Sequence, residues 1–358
     1  MNISRISSTA RRRAILDAFD AVRETSPTQP VERIARRLDI SEGELQAARL
    51  GRDTWTLSLA PRELARRFEA LGQVEARTRS TAATLIQRGR YPRLAGGDAA
   101  GLLLAPGGLD LRLLFSHWHW ACLVRERPRC GSVDWRVQVF DQHGRALHSC
   151  RALDTALNEG WTALFEVATE DEPAFTQEMP RPTRALSDIE GLADIEGLAE
   201  EWQAMRDVHQ FFTLLRRHGL ERHEANALME GRFTEALAPT AVENVLRRAS
   251  EQRLPLMCFV ASPGCVQIRT GDVPLPRWCD GRLTLSDPSF ALRLDDDSIA
   301  RVWRVHKPNA DGGVTSLEAF DDQGRLILQL YAERREGQAE RADWRRLLEA
   351  FPRWEAVA

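Results

Sequence analysis

The chain has 358 residues, of which 43% are hydrophobic and 28% are charged. This balance is typical of a folded globular protein and excludes a largely disordered chain, while the length predicts two domains or one duplicated unit. The 49 basic and 52 acidic side chains give a net charge of −3, so the overall charge offers no attraction for nucleic acid and we expect no nucleic-acid partner.

The first half is predicted to begin with helices and to continue as a sheet. Apolar spacing predicts helices over residues 11–24 and 30–50, and Ser41 with Glu44 matches a capping box at a helix start. Residues 61–71 are also predicted to be helical. From Val74 onward, alternating residues interrupted by glycines predict strands.

Residues 176–198 are predicted to link an N-terminal repeat, residues 1–175, to a C-terminal repeat, residues 199–358. The sequence around this linker is acidic, carries prolines and contains a short near-repeat. Beyond it the pattern restarts with predicted helices, then strands, then a last helix. The predicted helices of the second half cover residues 200–218, 222–229, 241–251 and 340–351.

The two halves match each other at an offset near 180 residues. Residues 140–147 parallel residues 320–327, and residues 109–112 parallel residues 290–293. Because the offset stays constant, the match indicates a tandem duplication. We therefore predict an α+β fold in which each half has a largely antiparallel sheet with flanking helices.

The predicted helix over residues 200–218 carries a histidine on an apolar face. Trp202, Met205, His209 and Phe212 are spaced so that a helix brings them to one side. Such a face lines either a protein core or a flat apolar ligand, and position alone favours a core histidine. A haem ligand would also need apolar walls and polar or cationic partners for two propionates.

The strands of the second half supply candidates for those partners. Lys307, the only lysine of the chain, follows a predicted strand, and Arg334 follows another. Gln329 and Tyr331 are two residues apart on that second strand, so they are predicted to share one face. The alternative is that Lys307 and Arg334 are solvated charges at a sheet edge.

Several segments together resemble the HemS/HmuS/ChuS family of haem-utilisation proteins. The resemblance extends over roughly residues 30–355 and does not depend on one motif. The segments are Asp207-Val208-His209-Gln210-Phe211-Phe212 with Leu214-Leu215, Lys307-Pro308 with residues 314–318, residues 331–338, Leu109-Asp110-Leu111-Arg112 with Ser116-His117-Trp118, and residues 71–74.

This resemblance implies that His209 is the axial ligand of a non-covalently bound haem b. It implies Phe259 on the haem face and Arg112 as a distal, candidate catalytic arginine that reaches in from the first half. It also implies a set of side chains around the propionates and the distal side, namely Lys307, Gln329, Tyr331 and Arg334. Haem is then expected in a cleft of the second half, covered by the first.

The first half lacks the corresponding ligand. The counterpart of His209 falls at Gln29-Pro30, where no histidine stands. Residues 84–87, Thr-Leu-Ile-Gln, replace a segment in which the family carries a histidine, so the resemblance gives no support for an accessory haem site there. We predict that one half ligates haem and that the other covers it.

The resemblance implies a protein of haem uptake that degrades haem to release iron. The alternative is a non-enzymatic carrier that delivers haem to a separate haem oxygenase, and a haem ABC importer is a further expected partner. No run of residues approaches the roughly 18 apolar positions needed to cross a bilayer, and no cysteines have C-x-x-C spacing. We therefore predict a cytoplasmic protein, without membrane insertion, whose thiols are reduced.

Overall fold

The computed structural model describes residues 8–126, 133–154, 156–177, 189, 191, 194–335 and 337–354. Most of the predicted linker lies outside the described residues. Its last four positions, 195–198, form the first turn of a helix, and Leu198 is buried there. The division into two repeats with a linker stays a prediction.

The described helices flank the strands in both halves, and they are named in chain order. In the first half they are α1 Ser8–Thr25, α2 Val31–Arg37, α3 Glu42–Ala48, α4 Pro61–Arg67 and α5 Glu159–Phe165. In the second half they are α6 Ile195–Gln203, α7 Gln210–His218, α8 Arg222–Leu228, α9 Ala241–Glu251 and α10 Ala342–Glu349. The predicted capping box is present, since Ser41 and Glu44 exchange both hydrogen bonds at the start of α3.

The described strands are also named in chain order. In the first half they are β1 Thr54–Leu57, β2 Val74–Arg79, β3 Ala83–Gly89, β4 Leu94–Gly96, β5 Ala100–Leu103, β6 Asp110–Leu114, β7 Trp120–Glu126, β8 Asp134–Phe140, β9 Ala146–Ala152 and β10 Ala168–Thr169. In the second half they are β11 Thr234–Leu237, β12 Leu256–Ser262, β13 Cys265–Gly271, β14 Arg277–Cys279, β15 Arg282–Ser286, β16 Phe290–Leu294, β17 Arg301–Lys307, β18 Val314–Phe320 and β19 Leu326–Ala332.

In the part of the chain that the structure describes, these strands form two antiparallel sheets that exchange strands between the halves. The first sheet has the order β10-β1-β7-β8-β9-β2-β3-β16-β15-β14, and the second has the order β11-β17-β18-β19-β12-β13-β6-β5-β4. Three strands of each half therefore complete the sheet of the other, through the pairs β3–β16 and β13–β6. The α+β fold is confirmed, and neither sheet is built by one half alone.

The inner faces of the two sheets pack against each other through two buried apolar clusters. Leu85 and Leu292 of the first sheet belong to the same buried cluster as Leu256 and Val260 of the second. The outer face of each sheet is covered at one end by a group of three helices: α1 to α3 lie over the first sheet and α6 to α8 over the second. The other end of each outer face is free of these helices.

Two equivalent turns support the duplication. Asp141 follows β8, and its side chain accepts hydrogen bonds from the backbone and the guanidinium group of Arg145. Asp321 follows β18 and holds Arg325 in the same way. The glycines between them have positive φ values of 73° and 70°, a conformation that favours glycine. The repeat therefore preserves the hydrogen bonds of these turns.

The helix predicted over residues 200–218 is wrong in one respect, because the structure divides it into α6 and α7. Between them, the side chain of Gln210 accepts hydrogen bonds from the backbone N–H groups of Arg206 and Asp207. Asp207 in turn accepts from the backbone N–H of His209. Such local side-chain bonds compete with the helix and favour a turn at this point.

No helix among the described residues combines the length and the apolar character that a membrane span requires.

Candidate functional site

His209 lies at the start of α7 with its imidazole in solvent. It is the residue before the first turn of α7, and its side chain is 88% exposed. The interpretation that His209 belongs to the core is therefore wrong. Trp202 and Met205 are buried as predicted, but the interruption between α6 and α7 turns His209 away from them.

Asp207 fixes the ring of His209. The Nδ1 atom of His209 lies 2.7 Å from Oδ1 of Asp207, and the same oxygen accepts the backbone N–H of His209. These hydrogen bonds lower the pKa of Asp207, so it is a carboxylate that only accepts. Nδ1 therefore donates to Asp207, and in the neutral tautomer the lone pair lies on Nε2, which has no hydrogen-bond partner among the described residues and can bind a metal.

An exposed aromatic side chain stands beside this imidazole. Phe212 is 63% exposed although its neighbour Phe211 is buried against Trp202, with ring centroids 4.6 Å apart. Exposure of a phenyl ring to water is unfavourable, and full burial of the side chain would contribute about 2–3 kcal/mol. His209 and Phe212 thus form one exposed surface that suits a flat apolar ligand.

A row of side chains crosses the outer face of the second sheet next to α7. Phe259 on β12 is paired with Gln329 on β19, and Gln329 is paired with Glu318 on β18. Tyr331 contacts the edge of the Phe259 ring at 5.1 Å between centroids, and its hydroxyl accepts a hydrogen bond of 3.2 Å from Gln329. The prediction that Gln329 and Tyr331 share a face is confirmed.

Arg112 lies on this same sheet because β6 crosses from the first half. It is paired with Val266 on β13, and Asp110 is paired with Ile268, which in turn faces Phe259. The half-buried guanidinium of Arg112 forms an ion pair with Asp110. The structure thus places the predicted distal arginine on the outer face that carries Phe259, two strands away.

Lys307 lies beneath this face, not at its edge. It is 2% exposed, and its ammonium group donates to Glu318 at 2.5 Å and to Ser316 at 3.0 Å. The ammonium also lies 4.9 Å from the ring centroid of Phe211 and 5.6 Å from that of Tyr331. The interpretation of Lys307 as a solvated edge charge is wrong, and its predicted role beside a propionate stays a prediction.

Glu318 is the centre of a buried polar cluster behind the site. Its carboxylate accepts hydrogen bonds from Lys307, Arg222, Asn226 and Gln329. Burial alone would raise the pKa of Glu318, but the charges of Lys307 and Arg222 hold it well below its usual value. The cluster therefore remains ionised and fixes the strand from which Tyr331 projects.

Arg334 follows β19 and is half-buried. Its charge contributes to the lowered pKa of Asp207, behind the larger effect of the His209 backbone hydrogen bond. The charge of Arg334 therefore acts near the turn that carries His209. Arg334 is thereby a cationic group at the margin of the surface formed by His209 and Phe212.

Sequence reasoning missed the roles of three residues. Asp207 was read as part of a motif, although its spacing of two residues from His209 is the signal for a side chain that bonds the imidazole. Apolar spacing predicts Phe212 on one face with Trp202 and Met205, as a continuous helix would require, and does not predict its exposure beside His209. Glu318 gave no signal, because Lys307, Arg222, Asn226 and Gln329 come together around it only through the fold.

The side chains present fit a haem. The exposed imidazole of His209 suits the iron, and the aromatic rings of Phe212 and Phe259 suit the macrocycle. The cations suit negative charge, Arg334 that of a propionate and Arg112 that on the distal side. The ligand chemistry comes from both halves of the chain, because Arg112 belongs to the first.

Comparison with known proteins identifies the family. The model of the haemin-degrading HemS.ChuX domain matches residues 39–167 and 219–351, one copy in each half. The hemin transport protein HemS of Yersinia enterocolitica is 35% identical over 93% of this chain and 96% of its own length.

Two solved structures share the whole architecture. The heme degrading enzyme ChuS of Escherichia coli O157:H7 superposes with a TM-score of 0.88 at 33% identity, covering 95% of this chain and 99% of that one. Holo-PhuS, a heme-binding protein of Pseudomonas aeruginosa, also gives 0.88, at 35% identity, covering 97% and 100%. The chain belongs to the HemS family, and its two matched segments confirm the duplicated fold.

Proposed function

We propose that this member of the HemS family binds one haem at the outer face of the second sheet and degrades it to release iron. The observation that carries the proposal is the exposed His209, whose Nδ1 is bonded to Asp207 and whose Nε2 is free. A carboxylate on the far nitrogen orients an imidazole ligand and raises its basicity. We assign His209 Nε2 as the axial ligand of the haem iron.

The surrounding side chains contact the other parts of the haem or support the residues that do. Phe212 and Phe259 supply apolar contact to the macrocycle, and Tyr331 holds Phe259 in place through its ring edge. Arg334 is the candidate partner for a propionate. Lys307 contributes from beneath, since it neutralises Glu318 and thereby keeps Gln329 and Tyr331 in position.

Arg112 is the candidate catalytic residue. When bound, haem supplies an iron that reacts with oxygen in the presence of a reductant. The guanidinium of Arg112 is held by Asp110 on the sheet face, where it would offer hydrogen-bond donors to negative charge on a bound haem. Its role is to stabilise that charge and to orient the reacting group by hydrogen bonding.

A non-enzymatic haem carrier is the second candidate function. The exposure of His209 favours it, because an imidazole at 88% exposure is accessible to a second protein that takes the haem away. In this case the partner is a separate haem oxygenase. In both cases we propose a cytoplasmic protein that receives haem after an ABC importer has delivered it.

The test of the site is a haemin titration of the parent chain and of His209→Ala, followed through the Soret band. We expect saturable one-to-one binding in the parent and, in the variant, a changed spectrum with affinity lower by about 100-fold. His117→Ala is the matched control, since His117 is also exposed. Identical spectra for the parent and His209→Ala would remove His209 as the ligand.

The test of the reaction supplies a reductant and catalase to the haem complex. Turnover that survives catalase, with a defined tetrapyrrole product and released iron, supports the enzyme. Loss of all product together with fast transfer of haem to an oxygenase supports the carrier. An Arg112→Ala variant that binds haem like the parent but no longer turns it over would assign the catalytic role.

A further inference from the structure

A cavity lies on the outer face of the first sheet, at the place that corresponds to the proposed haem site on the second. Its volume is about 360 Å³, and it is bordered by strands β8, β9, β2, β3 and β16 and by the loop before α2. Pro30 of that loop lines it, and Gln29-Pro30 is the counterpart of His209. The duplicated scaffold thus keeps a recess where the second half carries its ligand site.

The lining of this cavity is cationic. Five arginines line it, against two carboxylates, Glu75 and Asp287; the arginines are Arg77, Arg88, Arg136, Arg151 and Arg293. Glu75 is shared between Arg88 and Arg151, at 3.3 and 3.1 Å. Asp287 accepts hydrogen bonds from the turn that leads into β16. When Glu32, which pairs with Arg77, and Asp134, which pairs with Arg151, are also counted, one positive charge remains in excess.

Two of these arginines have no carboxylate partner among the described residues. Arg136 projects from β8 and Arg293 from β16, and neither takes part in an ion pair or a side-chain hydrogen bond within that part of the chain. Strands β9, β2 and β3 separate them. At about 4.8 Å per strand the two strands are roughly 19 Å apart, and the register places Arg293 four residues farther along, so the two backbones are roughly 23 Å apart.

The excess charge is unfavourable for the protein by itself. Burial lowers the pKa of Arg77, and the like charges of Arg79 and Arg136 lower it further, against the opposite effect of Glu32. A guanidinium group also presents paired donors that match the oxygens of a carboxylate or a phosphate. An anion in the recess would therefore relieve repulsion and use donors that the fold leaves free.

Haem does not suit this recess. Arg77 occupies the position of Phe259 in the strand pairing. Arg77 pairs with Ser149 on β9, and Phe259 pairs with Gln329 on the equivalent strand β19. Arg151 likewise occupies the position of Tyr331, at an offset of 180 residues. The aromatic walls are replaced by charge, and the position of the axial ligand carries no histidine.

We propose that this recess, lined by five arginines between β8 and β16, binds a small multivalent oxyanion whose anionic groups are phosphates or carboxylates. Arg136 and Arg293 contact its two ends, and Arg77 lies between them. The site is independent of the haem site, because the two lie on the outer faces of different sheets.

The test is isothermal titration of the full chain, without haem, at physiological ionic strength, with inorganic pyrophosphate in one arm and citrate in the other. We expect saturable one-to-one binding in at least one arm, and the arm that binds more tightly identifies phosphate or carboxylate as the preferred group. In Arg136→Ala/Arg293→Ala we expect affinity to fall by at least about ten-fold. Neither substitution removes the partner of a carboxylate, so the variant is expected to fold.

The matched control is Arg277→Ala/Arg301→Ala, which removes two exposed strand arginines outside the recess. It is expected to bind the anion like the parent. The proposal is overturned if neither anion binds the parent saturably, or if both double variants lose affinity equally, which indicates attraction by overall charge. Haemin titration of Arg136→Ala/Arg293→Ala is expected to match the parent, so failure of this site and failure of the haem site are separable.

Discussion

The outer faces of the two sheets share one backbone plan and carry opposite chemistry. In the second half the face presents His209, Phe212 and aromatic strand residues to solvent. In the first half the equivalent face carries arginines, and Glu32 of α2 forms ion pairs with Arg77 and Arg79. Glu32 and Phe212 are related by the offset of 180 residues. At this helix position the first repeat thus carries a carboxylate that pairs with the sheet, and the second carries an exposed aromatic ring.

The clusters beneath the two faces differ in the same way. In the first half the buried amides Gln46 and Gln138 bond to each other at 2.6 Å. Their counterparts are Asn226 and Glu318, which also bond, but here the strand residue is ionised and needs Lys307. The comparison teaches that duplication conserves which positions touch, while the charge of those positions is free to change.

The largest effect is expected from the ionised cluster. Glu318→Gln keeps the shape of the side chain but leaves the buried Lys307 ammonium without its carboxylate, so we expect the free energy of unfolding to fall by about 3–5 kcal/mol. Urea denaturation at neutral pH measures it. Glu63→Gln, at an exposed ion pair, is the control and should change it by less than about 0.5 kcal/mol. Equal losses in the two variants would contradict this account of the cluster.

The ion pairs of Glu32 on the first face are expected to make the free energy of unfolding depend on pH. The charges of Arg77 and Arg79 outweigh burial and lower the pKa of Glu32 from 4.5 to about 2. A lowered pKa in the folded state stabilises above the unfolded value, so this contribution is complete above pH 4.5 and is lost as pH falls toward 2.

Glu32→Gln should therefore lower the free energy of unfolding by about 2–3 kcal/mol at neutral pH and flatten its decline between about pH 4.5 and 2. Urea denaturation across that range measures both. Glu24→Gln, at an exposed position of α1, should follow the parent curve. An unchanged slope in Glu32→Gln would show that the ion pair does not form in solution.

Exchanging the chemistry of the two faces tests the aromatic contact. Phe212→Glu places on the second face the residue that the first face carries, and we expect haem affinity to fall by about 10- to 100-fold because an apolar contact becomes a desolvated charge. Haemin titration measures it. Phe212 is exposed, so the thermal midpoint should stay the same. Leu275→Glu alters another exposed apolar residue and is expected to leave haem affinity unchanged.

The smallest effect is expected at the carboxylate behind the imidazole. Asp207→Asn keeps an acceptor for the Nδ1 proton but removes the charge, so we expect haem affinity to fall by about ten-fold while His209 still binds the iron. The Soret position and the haemin titration report both quantities. Asp322→Asn, in an exposed turn, is the control. A parent-like affinity in Asp207→Asn would mean that the carboxylate only shapes the turn.

Much of the fold could be predicted from the sequence. The capping box at Ser41, the helix over 241–251 and the constant offset between the halves depend on local patterns, and the structure confirms them. The break before α7 could not be predicted in this way. It depends on the side chains of Gln210 and Asp207, which accept hydrogen bonds from backbone N–H groups of the turn. The spacing of apolar residues does not reveal that these bonds compete with the helix.

The candidate site was predictable only in part. His209 and the shared face of Gln329 and Tyr331 follow from spacing and resemblance. The burial of Lys307 does not follow from either, because it depends on an ion pair with Glu318 on the neighbouring strand. Nor could the sequence place Arg112 on the sheet of the second half, since strand exchange between repeats leaves no periodic signal.

The exchange of strands also has a consequence for synthesis on the ribosome. The edge of β3 ends at Gly89, and its partner β16 begins at Phe290, so at roughly 5–20 residues per second that partner emerges about 10–40 s later. In the meantime β6, whose sequence matches that of β16, is the strand available to cover the edge. If the nascent first repeat closes on itself in this way, β6 has to be released before β16 pairs with β3, as in a domain-swapped dimer fused into one chain.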